Sequence, residues 1–150
     1  MRAVVQRVSQ AKVTVDGEVT GSIGLGLVVL LGVGDGDEVS DLEFMERKLI
    51  GLRVFEDDQG KMNLSIGDVG GSLLLISQFT LDGDCRKGNR PSFTRAAVPA
   101  EAVRLYEELA QRIRQRRIPV ATGVFQAMMQ VSLVNEGPVT LIIDSRKEVY

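Results

Sequence analysis

The sequence predicts an α+β domain in which two amphipathic helices cover one side of a largely antiparallel sheet. Three observations predict it. Short β-branched or apolar runs, about eight of them, recur along the chain and are joined mostly by turn residues. Only two stretches carry apolar residues at helical spacing. No repeat, low-complexity tract or linker divides the 150 residues, a length suited to a single domain that buries about 68–70% of its unfolded surface. Residues 1–150 are therefore read as one domain.

The elements follow in order. Val4, Val5, Val8, Val13 and Val15 mark an opening strand, and Asp16-Gly17 is a hairpin turn that returns the chain through Val19 to Ile23. Leu27 to Leu31 is continuously apolar, as a strand buried on both faces would be. Ser40 and Glu43 have the spacing of a capping box, with Leu42, Met45 and Leu49 forming a helical stripe that stops at Gly51. Arg53 to Glu56 and Lys61 to Leu64 read as a hairpin, and Leu73 to Ser77 as another apolar strand. Pro99 suits a helix first turn, after which Val103, Tyr106, Ala110 and Ile113 trace the main helix before Pro119 ends it. Alternation from Phe125 to Leu133 predicts a half-buried strand, and Asn135 to Pro138 a turn that reverses it into Val139 to Ile143.

Composition removes several chemistries. The chain has no histidine and one cysteine, so it builds no Ser-His-Asp or Cys-His triad, no histidine metal site, no disulfide and no iron–sulfur cluster from its own residues. Carboxylates, hydroxyls, lysines, backbone groups and the substrate are what is left. The single cysteine fits a reducing cytosol. A net charge of −2 argues against blanket attraction to polyanions but permits a local basic patch. The longest apolar run, Leu25 to Val33, is broken by Gly26 and Gly32 and is far shorter than the roughly 20 residues of a bilayer span. A soluble protein with no membrane partner is expected.

Several segments invite a functional reading beside a plain one. Gly32 to Gly36 lies between a strand and a helix, but its spacing is not that of a dinucleotide loop, and Asp35 and Asp37 would repel phosphate. Glu56-Asp57-Asp58 lacks calcium-loop spacing and reads as a hairpin tip. Cys85 has no histidine to raise its thiolate fraction. Arg112, Arg114, Arg116 and Arg117 suit a helix C-terminus. Arg86, Lys87, Arg90 and Arg95 have no such account, leaving phosphate contact and plain solvation both open. Ser77-Gln78-Phe79-Thr80-Leu81 gathers polar side chains where a strand leaves the sheet, and Asn135 to Thr140 sets Gly137-Pro138 in a polar frame.

These last two segments, SQFTL and NEGPVT, together resemble the paired signature motifs of the D-aminoacyl-tRNA deacylases. The likeness spans essentially the whole chain, through MRAVVQRV, KGNRPSFTRAAVP, LYEEL and TGVFQAMMQV in the same order. It implies that family's barrel-like α+β fold and hydrolysis of the ester between a D-amino acid, or glycine, and the terminal adenosine of tRNA. It implies a cytoplasmic homodimer that needs no cofactor or metal. Gly137 and Pro138, as a cis dipeptide, would reach from one subunit into the other's pocket and exclude L side chains. Arg7 would hold the dipeptide and Met129 would form pocket wall. Ser77, Gln78, Phe79 and Thr80 would line the scissile ester, with the N–H groups of Phe79 and Thr80 as oxyanion donors.

Thr80 is the obvious nucleophile, but a hydroxyl needs a base and the two motifs supply only Glu136. The ribose 2′-hydroxyl beside the ester is the better candidate, since well-oriented intramolecular groups reach effective molarities of about 10⁵–10⁸ M. Two rivals stand beside this reading. One is a non-catalytic RNA-binding dimer that uses the Arg86 to Arg95 loop. The other is the sister deacylase family, whose Gly-Pro peptide is trans and which admits L-alanine.

Overall fold

The computed structural model describes residues 1–149. In chain order the elements are β1 (Arg2–Val15), β2 (Glu18–Ile23), β3 (Gly26–Gly32), α1 (Val39–Gly51), β4 (Phe55–Glu56), β5 (Met62–Leu64), β6 (Ser72–Ser77), a 3-10 turn (Phe79–Asp82), α2 (Pro99–Gln115), β7 (Val120–Thr122) and β8 (Gln130–Asp144). The β1–β2 hairpin closes through Asp16 and Gly17, whose φ values of 49° and 79° give the twist that matches the flanking strands. β2 then lies along the second half of β1 and β3 along the first half, both antiparallel, while β8 takes the opposite edge of β1 over nearly its full length. β6 joins β3, and β7 joins β6, by parallel pairing. The α+β class holds, with a mixed sheet.

The sheet curls towards a barrel. A Cβ on Gly21 in β2 would lie 2.6 Å from the Thr122 carbonyl oxygen in β7, so only glycine permits that approach. Curling gives the sheet two buried faces. Leu27, Val29, Leu31, Leu73 and Leu75 pack against the helices through Leu42, Met45, Leu49, Leu105, Leu109 and Ile113. Their alternates Val28, Leu74 and Ile76 meet Val8, Ala11 and Val13 inside the curl. Burial on both faces is why β3 and β6 read as unbroken apolar runs. The α2 stripe is completed by Leu105 and Leu109, whereas Val103 is half-buried.

Three expectations about local structure are corrected. The capping box of α1 is formed by Glu38 and Asp41, two residues before the Ser40/Glu43 pair. Phe125 to Met129 is not strand: Gln126 adopts φ 64° and Ala127 closes a turn onto the Val124 carbonyl, so β8 starts at Gln130. Asn135 to Pro138 does not reverse the chain. Both halves of β8 pair with β1, Val8 opposite Asn135 and Gln6 opposite Thr140, so Glu136 to Val139 bulge out opposite Arg7 alone. The long ladder on either side outweighs the local turn signal.

Other segments have structural roles. Asp57 accepts the backbone N–H groups of Gln59 and Lys61 at the hairpin tip, and these bonds hold its carboxyl below the usual range. Asp37 accepts the Gly34 N–H at 2.6 Å and pairs with Arg146 at 2.9 Å, fixing the glycine-rich loop. Arg116 reaches Glu46 of α1 at 3.0 Å, and Arg112 lies 3.7 Å from Glu46 and 3.8 Å from Glu43, so part of the second basic cluster ties the helices together.

Candidate active site

At the end of β6 the chain leaves the sheet beside a cleft of about 590 Å³. Ser77, Gln78 and Phe79 form one wall, and Met129 with Phe125 to Ala127 forms another. Phe93, Ala96, Ala97, Pro99, Ala102 and Tyr106 enclose much of the rest, and among the described residues no charged side chain lines the cleft. The turn that replaces the expected strand at Phe125 is therefore what builds this wall. Phe79 and Phe93 meet edge to face with centroids 5.2 Å apart, a favoured aromatic geometry. Beneath them the Tyr106 hydroxyl donates to the Leu75 carbonyl at 2.8 Å, and burial pushes its pKa up to about 12.

The polar groups at the strand end are arranged by a 3-10 turn. Gln78 N–H donates to the Leu31 carbonyl at 2.7 Å, and Leu81 N–H returns to the Gln78 carbonyl at 3.2 Å. The N–H groups of Phe79 and Thr80, as the first of that turn, have no acceptor among the described residues, as the opening donors of any helix do not. Thr80 is exposed and outside the cleft lining, and its hydroxyl accepts from the Gln78 side-chain amide. No carboxylate, lysine or imidazole reaches that hydroxyl among the described residues. Asp82, at the end of the turn, faces Gly32 with one buried oxygen unpartnered, and burial raises its pKa. Arg2 fixes the turn from behind by donating to the Leu81 carbonyl at 2.9 Å while pairing with Asp144 at 3.2 Å.

The second motif is built around a buried arginine. Arg7, only 7% exposed, donates through Nε to the Glu136 carbonyl at 3.0 Å and through Nη1 to the Val54 carbonyl at 2.7 Å. Asn135 closes the bulge: its Oδ1 accepts the Val139 N–H, and its Nδ2 donates to the Thr140 hydroxyl, both at 2.9 Å. Between them the Gly137-Pro138 peptide is cis, and Gly137 has φ 135°. A Cβ there would lie 2.8 Å from Val139 Cγ2 and 3.1 Å from Arg7 Nη2, so position 137 admits glycine alone.

Within one chain these two constructions stay apart. Ser77, Gln78, Phe79 and Met129 line the cleft; Arg7, Gly137 and Pro138 do not. Gly137 and Pro138 are exposed, and the surface of β8 around them carries exposed Val131, Val134, Leu141 and Ile142. The sequence reading missed Tyr106, Phe93, Ala96 and Ala97 as cleft residues. The first basic cluster is also less uniform than its sequence suggests, because Arg86 is held by Asp84 at 2.6 Å and Arg95 by Glu148.

Fold and cleft define a class of protein: a small, histidine-free α+β domain that presents an uncharged cleft bordered by free backbone donors at a strand end. Residues 4–144 match the family model described as D-Tyr-tRNA(Tyr) deacylase. The D-aminoacyl-tRNA deacylase of Desulfitobacterium hafniense is 61% identical over 147 residues, covering 98% of this chain and 99% of that one. That of Syntrophobacter fumaroxidans is 58% identical over 147 residues, again 98% and 99% of the two chains. The chain belongs to the D-Tyr-tRNA(Tyr) deacylase family. Among solved structures, the c-Myc DNA Unwinding Element Binding Protein superposes with a TM-score of 0.91 at 43% identity, covering 96% of this chain and 98% of that one. A structure described as a probable eukaryotic D-amino acid tRNA deacylase shares the fold with a TM-score of 0.80 at 18% identity, covering 95% and 97%.

Proposed function

We propose that this chain hydrolyses the ester that joins a D-amino acid, or glycine, to the terminal adenosine of tRNA, acting in the cytoplasm as a chiral proofreader of translation. The observation that carries the reading is the pair of unengaged N–H groups, Phe79 and Thr80, beside an uncharged cleft. Water adds to the ester carbonyl carbon, the bond to the ribose oxygen breaks, and free amino acid and tRNA leave. In this reading negative charge gathers on the carbonyl oxygen and the two N–H groups receive it. Removal of a single such donor elsewhere costs about 2.7–4 kcal/mol.

The proton is handled by the substrate. Thr80 has no base and is already engaged by Gln78, and the Tyr106 hydroxyl, with a pKa of about 12, keeps its proton at neutral pH. The neighbouring ribose 2′-hydroxyl is positioned by connectivity to assist. Chiral selection belongs to Gly137 and Pro138 of a second copy, whose carbonyls enter the cleft and leave no room for an L side chain. Two observations support this: the dipeptide lies outside its own chain's cleft, and it is surrounded by exposed apolar residues of β8.

Release of amino acid from D-tyrosyl-tRNA and L-tyrosyl-tRNA tests the reading. Rapid release from the D substrate alone is expected. Tight binding of both without turnover would instead favour the non-catalytic RNA-binding dimer.

A further inference from the structure

The cleft accounts for the acyl group but not for the RNA. Its lining is uncharged, whereas affinity for a nucleic-acid strand comes mainly from cations set against phosphates. Those cations must lie outside the cleft, and Phe93 leads to them. One residue before it, Ser92 pairs with Asp84 through two backbone bonds of 2.7 and 3.0 Å, which close the base of an exposed loop, residues 85 to 91. Gly88, with φ 64°, turns the chain at the tip between Lys87 and Arg90.

Charge on this side of the cleft is largely cancelled. Arg86 grips Asp84 through Nε at 2.9 Å and Nη2 at 2.6 Å, an interaction that holds the carboxyl well below its usual range. Arg95 is paired with Glu148, and Asp82, half-buried at the end of the 3-10 turn, has one oxygen out of solvent. What is left over is Lys87 and Arg90, both exposed and without an ion pair among the described residues. Arg90 is three positions before Phe93, so its Cα lies within about 11 Å of the cleft wall.

We propose that Lys87 and Arg90 form a phosphate-binding surface for the RNA strand that leads into the cleft, contacting the phosphates just before the terminal adenosine. Asp84 and Arg86 brace the loop, and Phe93 fixes it to the cleft rim. The contact is to the backbone, so it serves every tRNA alike and carries no base preference. This deepens the deacylase reading and rests on it for the identity of the RNA.

The test is the double variant Lys87→Ala/Arg90→Ala, compared with Arg47→Ala/Lys48→Ala on α1. Three quantities are read: binding of uncharged tRNA from 50 to 200 mM salt, turnover of D-tyrosyl-tRNA, and turnover of 3′-O-(D-tyrosyl)adenosine, which has no phosphate. Loss of two phosphate contacts makes the slope of log affinity against log salt shallower by about 1.4 to 1.8, with a loss of tRNA affinity on the order of tenfold at low salt. Turnover of the adenosine ester is expected to stay at the wild-type value. An unchanged salt slope overturns the proposal, as does an equal change in the α1 control or a parallel loss on both substrates. A wild-type protein that binds tRNA with this loop dependence yet cleaves neither substrate would sink the deacylase reading and leave the surface standing.

Discussion

Replacing Arg7 by alanine separates the second motif from its support. The guanidinium serves two carbonyls, Glu136 at 3.0 Å and Val54 at 2.7 Å, and it is almost fully buried. A hydrogen bond from a charged donor is worth about 1.5–3 kcal/mol, so losing both costs about 3–6 kcal/mol if neither carbonyl finds a new partner. The Glu136 carbonyl belongs to an exposed bulge that water reaches, which places the expected loss near the lower end, about 3 kcal/mol. With a urea m-value of about 2 kcal/mol per molar, the unfolding midpoint falls by about 1.5 M. The bulge then loses the contact that orients Gly137, so release from L-tyrosyl-tRNA rises relative to D-tyrosyl-tRNA. Arg7→Lys restores less than half of the stability, because one ammonium cannot reach both carbonyls in that geometry. A midpoint within about 0.3 M of wild type, together with an unchanged D/L ratio, would refute the role assigned to Arg7.

Four further outcomes are expected. Gly137→Ala places a Cβ against Val139 and Arg7 in a glycine-only conformation and costs about 1–3 kcal/mol, with loss of D/L selectivity, measured by urea unfolding and deacylation. Thr80→Val keeps kcat/KM within about threefold, whereas a tRNA ending in 2′-deoxyadenosine reacts slower by about 10²-fold or more; the reverse pattern would make Thr80 the nucleophile. Tyr106→Phe removes one of the two donors to the Leu75 carbonyl, which keeps the Gly123 N–H at 3.2 Å, lowers stability by about 1 kcal/mol, and leaves the pH–rate profile between pH 6 and 9 unmoved. Asp82→Asn tests linkage: burial raises the Asp82 pKa, so the folded state holds this proton more tightly than the unfolded chain and the charged form costs stability at neutral pH. Its melting temperature should exceed wild type at pH 7, with the advantage shrinking as pH falls through the raised value and absent below the unfolded value, as a thermal melt series would show.

Patterns confined to one element were legible in the sequence; the partners of that element were not. Asp16-Gly17 announced its hairpin because positive φ at two successive residues is a local requirement. Leu27 to Leu31 and Leu73 to Ser77 announced burial on both faces, but nothing in either run says that they pair with each other in parallel. Asn135 to Pro138 has the chemistry of a turn, and the reading failed there because pairing of both flanks with β1 is a long-range fact. Phe125 to Met129 alternates like a strand, yet Gln126 turns the chain, so the successive residues Phe125, Gln126 and Ala127 all line the cleft. The strand-end residues Ser77, Gln78 and Phe79 were visible as a polar break after an apolar run. Tyr106, Ala96 and Ala97 were hidden, since each looks like helix or loop until the fold brings them together.

The absence of histidine gains meaning from this geometry. Near the cleft, Thr80 is engaged by Gln78, Tyr106 by Leu75, and Asp82 is half-buried facing Gly32, which leaves the Ser77 hydroxyl as the one side chain of the lining able to move a proton that has no hydrogen bond among the described residues. Beside it stand the free main-chain N–H donors of Phe79 and Thr80, and the selecting elements proposed for the second motif are main-chain carbonyls. Backbone groups carry no side chain whose replacement could alter their hydrogen bonding, and they are placed by the sheet and by Arg7 rather than by their own identity. It follows that substitutions among the apolar cleft residues should act chiefly on KM for different D-amino acids. Selection against L-amino acids should yield only to changes that move Glu136 to Val139 or remove the guanidinium that holds them.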